Sequence, residues 1–580
     1  MESNGCENFE IIIPNKNQKD VDTNILSCIR KRINIKISRL KSTGCLIGKF
    51  CGHCAVLVYV IAAGMHWYKE GQKPLSPVEG LGSFLLFMII FYWSLFYYKF
   101  LKPSLFLQLR DLQPAKSTFF WSFVSSYSKK LFYIIPPILF IVFLIYDTAN
   151  DRSRLISLSG IFVIYIFGYL FSKHPSKIRW DILYRATMIQ VIMAICTVRW
   201  EKGKFFFENV GNKIEKFLSY GYVGAAFVYS DNLIYKQVVF AFQCLSIIYF
   251  INFLVEILFY YQILQRAFAK LGWFLQTAIG TTTIETINSC VTVMLGLSEA
   301  SLIIKIYLKD LTLSELQTVM LGQLSTVAGS VFAAYVSFGV DPGYLVTASV
   351  MSAPAALCLS KLLYPETENS KTAAHVFKID KSYKEKFPSA LSAGCEGAFS
   401  AVHIVNSTIA SLIAFTSLVA LMNGLVIWLG NLVGIEDLTI ISILGKFFAP
   451  IAFLMGVDIS QCEVVGKLIA TKSILNELVA YKQLGELKKM NILSKKSEAL
   501  VTYALCSFSN PASVASQMAI LSTLCHEHRP NYAKLAFRAY IGGIVTCIMT
   551  ACVAGLLTPS NNLYEIPTVI NNTNVSFSFL

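Results

Sequence analysis

The sequence predicts an all-α polytopic membrane protein whose core is an inverted repeat, with two re-entrant hairpins and two discontinuous helices. Composition, the spacing of apolar runs and a pattern that recurs in two halves of the chain carry that prediction. Of 580 residues, 55% are of the AVILMFWYC set, 15% are charged and the mean hydropathy is +0.56. A soluble domain carries roughly 25% charged residues, so a chain this apolar could not cover its surface in water. The net charge of +15 fits basic loops held on the cytoplasmic side better than a nucleic-acid partner. The fifteen cysteines are scattered, several within apolar runs (Cys196, Cys244, Cys547), which is the usage of a small hydrophobe and not of a disulfide framework. The first forty residues are polar and basic, unlike a signal peptide.

A helix needs about 20 apolar residues to cross roughly 30 Å of hydrocarbon. Simple spans are expected at 44–66, 81–101, 131–147, 154–172, 181–199, 236–262, 313–338, 343–363, 400–430, 497–523 and 534–557. Stretches 268–309 and 441–485 are apolar but interrupted by Gly, Ser, Asn and charges, too long for one crossing and too broken for two, so they read as re-entrant hairpins. Residues 200–235 alternate charge with Phe, Tyr and Gly, as an interfacial helix would, and 364–390 form a charged linker.

Arg30, Lys31, Arg32, Lys36, Arg39, Lys41 and Lys49, with no acid among them, place the N-terminal tail in the cytoplasm. Eleven crossings then put the C-terminus outside, where Asn571 and Asn574 head glycosylation sequons. Lys488, Lys489, Lys495 and Lys496 fall outside on this count, against the charge rule. The expected division is a basic tail at 1–43, three additional helices at 44–152, a core at 153–557 and an extracellular tail at 558–580.

Each side of the charged linker repeats one order: a broken hairpin, a span with a helix-breaking centre, a simple span. The first hairpin carries Gly296-Leu297-Ser298-Glu299-Ala300-Ser301, and the next span is opened by Ser325 to Val331. The second carries Gly456-Val457-Asp458 and ends in Asn476-Glu477. The span after it contains Phe508-Ser509-Asn510-Pro511, where proline lacks an N–H and disfavours helix at the residue before it. Interrupted segments at matching places in two halves point to a secondary-transporter binding site. Glu299 and Glu477 would sit near mid-membrane, where a carboxylate costs roughly 2.5–3.5 kcal/mol on insertion scales. Blander readings stand beside these: Glu299 as a hairpin cap or partner of Lys305, Asn510 as the residue satisfying a kink, Glu256 as packing and His403 as a helix contact. Neither Cys51-Gly-His-Cys54 nor His526-Glu-His528 has metal-site spacing, and no nucleophile–base pair suggests an enzyme.

From about residue 173 to 557 the sequence resembles the concentrative nucleoside transporter family, carriers that couple nucleoside import to a cation. Glu285-Thr-Ile-Asn288 with Gly296-Leu-Ser-Glu299-Ala resembles the family's first hairpin. Val327 to Asp341, Thr347 to Ala356, Phe453 to Val457, Asn476 to Tyr481 and Tyr503 to Asn510 resemble the animal-type, eleven-span members. The resemblance implies a homotrimer in the plasma membrane that moves nucleoside inward by an elevator-like motion, with sodium as coupling ion and no other cofactor. It implies that Leu297, Ser298 and Glu299 face the base, Glu477 the ribose hydroxyls, Phe508 the base, and Asn510 and Ser513 the ribose. It places the cation at Thr292, Leu295, Ser298, Ser330 and Val331.

Three departures bear on specificity. Leu297 replaces a family Gln, removing a donor and an acceptor; Thr292 replaces an Asn near the cation; Ser507 and Ser509 replace Gly and Ala. Leu297 is expected to relax base discrimination or shift it toward purines. Proton coupling through Glu256 or Glu299, and a non-transporting nucleoside receptor, are the competing expectations.

Overall fold

The structure is a computed structural model that describes residues 51–69, 80–96, 133, 135–149, 151–237, 239–372, 387–434 and 439–559. The chain falls into two compact units, residues 1–132 and 133–580. The described part of the first is two helices, α1 (Cys51–Lys69) and α2 (Gly80–Phe96). His53 meets the Tyr92 hydroxyl at 2.8 Å and the Tyr59 and Phe84 rings meet edge to face. Most of their large apolar side chains, such as Leu57, Phe87, Ile89 and Trp93, are exposed, as in helices facing lipid.

The second unit opens with α3 (Ile135–Asp147), α4 (Leu155–Leu170) and α5 (Trp180–Ala194), which continues as a wider turn over Ile195–Arg199. In α4 the buried residues are Ser157, Gly160, Ile164 and Gly168. That spacing of three to four puts one narrow, small-residue face inward, while Phe162, Ile166 and Leu170 face out. Asp147, at the end of α3, pairs with Arg199 and, at 2.6 Å, with Arg154. Arg154 is itself buried and donates to the Leu556 carbonyl at 2.7 Å, fastening the start of α4 to the last described helix. The stretch 200–235, where an interfacial helix is expected, holds the helix α6 (Glu201–Tyr229), whose buried face is Gly203, Gly211, Leu218, Gly221, Ala225 and Ala226.

Two series of the same element order follow. The first is α7 (Ile247–Tyr260), α8 (Ile263–Ile279), hairpin arms α9 (Thr283–Thr292) and α10 (Leu297–Ile304), a helix broken into α11 (Leu313–Leu324) and α12 (Phe332–Ser337), and α13 (Pro342–Leu363). The second is α14 (Ala390–Leu432), α15 (Ile440–Leu454), arms α16 (Cys462–Ile474) and α17 (Glu477–Lys489), a helix broken into α18 (Lys495–Leu505) and α19 (Pro511–Leu524), and α20 (Arg529–Leu557). α7 packs on α14, and α13 on α20. Among the described residues there are no strands.

Seven of the eleven expected spans coincide with helices long and apolar enough to cross a membrane, among the described residues. The helices at 80–96 and 135–147 are shorter, and 313–338 and 497–523 are the two broken helices. The 400–430 span is part of one 43-residue helix, α14, about 65 Å long at 1.5 Å per residue.

The hairpin bounds need correction. The stretch 268–309 merges most of α8 with the hairpin proper, which is Thr283–Ile304. α8 is an amphipathic helix closed by Gly280 at φ +88, a left-handed conformation that glycine adopts without steric cost. Likewise 441–485 merges α15 with the second hairpin, Cys462–Lys489. Gly456-Val457-Asp458 is the turn between α15 and α16, not the break within the hairpin, and Asn476-Glu477 is the tip and not the end. In each half the helix before the hairpin packs closely on its first arm. A Cβ on Gly272 of α8 would strike Ile287, and one on Gly466 of α16 would strike the Gly445 carbonyl of α15.

Candidate functional site

The two hairpin tips and the two helix breaks converge. Residues 325–328 leave the helical ladder after Leu324, and 506–510 leave it after Leu505. The Thr326 hydroxyl donates to the Thr292 carbonyl at 2.7 Å and the Gly329 N–H to the Met294 carbonyl at 3.0 Å, joining the first break to the first tip. The Phe508 N–H donates to the Thr326 carbonyl at 3.2 Å and the Ser509 hydroxyl to the Leu324 carbonyl at 2.9 Å, joining the breaks to each other. The Asn510 amide donates to Glu477 Oε2 at 2.9 Å, joining the second break to the second tip. Backbone groups freed by unwinding are thus satisfied across elements, as buried peptide groups require.

Asn510 has two roles at once. Its Oδ1 accepts from the Ser513 N–H at 2.9 Å, capping α19, with Pro511 at the first helical position where its missing N–H costs nothing. Its Nδ2 is left for Glu477. The other Glu477 oxygen accepts from the Tyr335 hydroxyl of α12 at 3.4 Å, and the Tyr335 ring lies 4.5 Å from that of Tyr481. Glu477 is 4% exposed. A carboxylate so placed, with donors to each oxygen, suits charge-assisted acceptance from solute hydroxyls. Phe508 at the same break and Ser513 in the first turn of α19 are both half-buried.

The first tip is arranged differently. Glu299 turns its carboxylate back over the Gly296 backbone at the start of α10, so the capping reading holds and the Lys305 pairing does not arise. Leu297 is half-buried and Leu295 is buried. The Thr292 hydroxyl donates to the Ser289 carbonyl at 3.1 Å, which leaves its oxygen lone pairs available. The side chains of Ser298 and Ser330 lie outside the described ones; their backbones fall in α10 and in the turn Gly329–Val331 beside half-buried Val331. The chemistry here is main-chain carbonyl and hydroxyl oxygen, a hard donor set that fits an alkali cation better than a transition metal. Asn571 and Asn574 lie outside the described residues.

Sequence reasoning missed several residues around this centre. Tyr335 is one. Gln323 donates to Asn288 Oδ1 at 3.3 Å and to the Ser301 hydroxyl at 3.0 Å, while Gln517 donates to Gln323 Oε1 at 2.9 Å. This buried network ties both arms of the first hairpin to both broken helices. The signal available was a glutamine inside each apolar span, where an unpaired amide is costly. Glu256 lies on α7 where Gly397 of α14 comes close, a Cβ there reaching 2.6 Å from Glu256 Cγ, and His403 is exposed on α14. Neither is part of the convergent centre. A cavity of about 610 Å³ opens instead at the base of the first hairpin, among Lys177, Arg179, Trp273, Glu285, Lys361 and Glu366.

Comparison with known proteins gives concordant matches. Family models described as "Na+ dependent nucleoside transporter" match residues 159–232 at their N-terminal and 344–555 at their C-terminal part, and one described as "Nucleoside recognition" matches 241–341. The chain is 35% identical to mouse sodium/nucleoside cotransporter 2 over 464 residues, covering 78% of this chain and 69% of that protein. It is 36% identical to rat sodium/nucleoside cotransporter 1 over 456 residues, covering 76% and 69%. Among solved structures it is similar to CNTnw in an inward-facing substrate-bound state, with TM-score 0.66 and 32% identity, over 70% of this chain and 98% of that one. An outward-facing variant of the same protein gives TM-score 0.67 at 32% identity, over 70% and 99%.

Proposed function

This chain belongs to the sodium-dependent nucleoside transporter family, and from that premise we propose that it carries nucleosides into the cell together with sodium, by alternating access. The observation that carries the reading is Glu477, buried at the meeting of a hairpin tip and two broken helices, with Asn510 and Tyr335 as its donors. In this reading Glu477, Asn510 and Ser513 hold the ribose, Phe508 stacks on the base, and Leu297, Ser298 and Glu299 face the base from the other side. Thr292, Leu295, Ser298, Ser330 and Val331 hold the sodium ion. Binding there closes the two hairpin tips on one solute. If sodium raises the affinity for nucleoside, nucleoside raises the affinity for sodium by the same factor, as linkage requires.

The protein acts as a carrier and not as an enzyme, in the plasma membrane, as a homotrimer with its N-terminus inside and its sequon-bearing C-terminus outside. Residues 44–152 add three helices to the carrier core of 153–557. The deciding experiment is uptake of radiolabelled uridine and adenosine in cells expressing the chain, with sodium replaced by choline at about pH 5.5 and about pH 7.4. Loss of uptake in choline at both values supports sodium coupling. Uptake kept in choline and raised by acid assigns the coupling to protons, and no uptake by protein present at the surface overturns transport in favour of a receptor.

A further inference from the structure

The last turn of α16 holds a lysine that the site as described does not use. Lys472 is 1% exposed, and its Nζ has no hydrogen-bond partner among the described residues. It precedes Glu477 by five residues, across the unwound tip Leu475-Asn476, and the two buried side chains lie within electrostatic range of each other without forming a direct ion pair. Among the described residues the pair has no second carboxylate beside it. Cys506 and Cys547 also face Lys472, but Cys547 Sγ directs its hydrogen to the Cys506 carbonyl at 3.3 Å. The Tyr481 hydroxyl donates to the Thr502 carbonyl at 2.9 Å, and Tyr335 and Asn510 donate to Glu477 itself. Glu477 is therefore the acid available to balance this ammonium, and an isolated ammonium out of water is tolerated only when such a charge is near. The first hairpin differs at the same place: two residues before its first arm ends stands Cys290, not a cation.

We propose that Lys472 is a positioning residue for solute recognition, its ammonium balancing Glu477 so that the carboxylate stays ionised to accept hydrogen bonds from the vicinal hydroxyls of the solute. The second hairpin thus carries a fixed cation, where the first takes a mobile one. This rests on the proposed nucleoside site, and the test separates the two. Removing the ammonium favours the neutral carboxyl, so ionisation is delayed to higher pH and uptake that needs the carboxylate retreats to the alkaline side.

The test is uridine uptake by the full chain in saturating sodium, normalised to surface-labelled protein, between about pH 5.5 and about pH 8.5. Lys472→Met is expected to move the acid limb up by about one unit or more, costing roughly tenfold at the affected pH, and Lys472→Arg to restore the wild-type profile. A wild-type profile in Lys472→Met overturns the proposal, whereas absence of nucleoside uptake by the wild type overturns the proposed function instead. Should Lys472→Met fail to reach the surface, thermal unfolding of the detergent-solubilised chain decides. The double variant Lys472→Met, Glu477→Gln is then expected to be more stable than the single one, because neither charge is left alone. A double variant no more stable than the single overturns the proposal.

Discussion

The two hairpin tips solve one problem with different residues, and the choice decides what each acid is free to do. Every helix start leaves N–H groups without partners. At the first tip the N-cap is Gly296, which has no side chain to offer, and Glu299 three residues on turns back to supply the acceptor. At the second the N-cap is Asn476, whose own Oδ1 accepts from the Val479 N–H at 2.9 Å. Glu477 therefore need not reach back to the N-cap, and besides its own N–H it accepts from Asn510 and Tyr335. In the first half the acid reaches back to the N-cap backbone, and in the second it is held by side chains of the helix breaks, where the proposed site places the ribose. Glu477→Gln is expected to lower uptake at subsaturating nucleoside by about 100-fold or more, from ~1.5–3 kcal/mol for each hydrogen bond to a charged group. Glu299→Gln, which keeps an oxygen to cap α10, is expected to cost only about tenfold on the same scale. Equal losses, read as initial rates per surface transporter, would break the comparison.

The far ends of the hairpins differ as well. Glu285 of the first arm closes a capping box on the Thr282 N–H at 3.0 Å and pairs with Lys361, both side chains being almost wholly buried. Lys361 also donates to the Ser314 hydroxyl at 2.9 Å, so α9, α11 and α13 are held at one point. The second hairpin's counterpart is Lys488 with Glu498 at 2.5 Å, where the lysine is 42% exposed. Lys361→Met leaves a buried carboxylate uncompensated and is expected to cost about 3–5 kcal/mol. Lys488→Met is expected to cost no more than about 1 kcal/mol. Thermal unfolding of each variant in detergent measures the difference, and a Lys361→Met protein as stable as Lys488→Met would contradict it.

What was legible in the sequence was set by how local the signal is. The breaks at 325–331 and 506–510 were readable because small polar residues, or a proline, interrupt an otherwise apolar run, and the consequence stays within a turn. The hairpin limits were not readable, because α8 and α15 are apolar enough to merge with the arms that follow, and hydropathy does not tell a helix lying along the membrane from one entering it. Glu477 and Asn510 were found through their motifs. Tyr335, 142 residues from Glu477, has no local feature that marks it, and Gln323, Gln517 and Lys472 are likewise defined by partners that only the fold brings near.

Leu297 sharpens the contrast on the side of specificity. The first tip carries an aliphatic side chain two residues before Glu299, so in the proposed site Leu297 would read the base by shape and not by hydrogen bonding. Leu297→Gln restores a donor and an acceptor and is expected to change the ratio of uridine to adenosine uptake by roughly 2- to 10-fold, the worth of about one neutral hydrogen bond. The direction expected is toward uridine, since the aliphatic residue suits the larger apolar face of a purine. An unchanged ratio would remove Leu297 from the base site.

The smallest expected effect lies where the two halves touch. The Ser509 hydroxyl reaches across to the Leu324 carbonyl at 2.9 Å, one residue before the first break opens. That carbonyl is buried at the end of α11, so Ser509→Ala would leave it one hydrogen bond short, at about 1 kcal/mol. The alanine removes no hydrogen bond to Glu477 or Asn510 and takes away only the hydroxyl oxygen, so nucleoside affinity is expected to stay within about twofold of the parent. The unfolding midpoint should fall by a degree or two on the scale of ~2–4 °C per kcal/mol that holds for smaller proteins. A fall in affinity with unchanged stability would instead make Ser509 part of the solute site, and the crossing of the two breaks a binding surface in its own right.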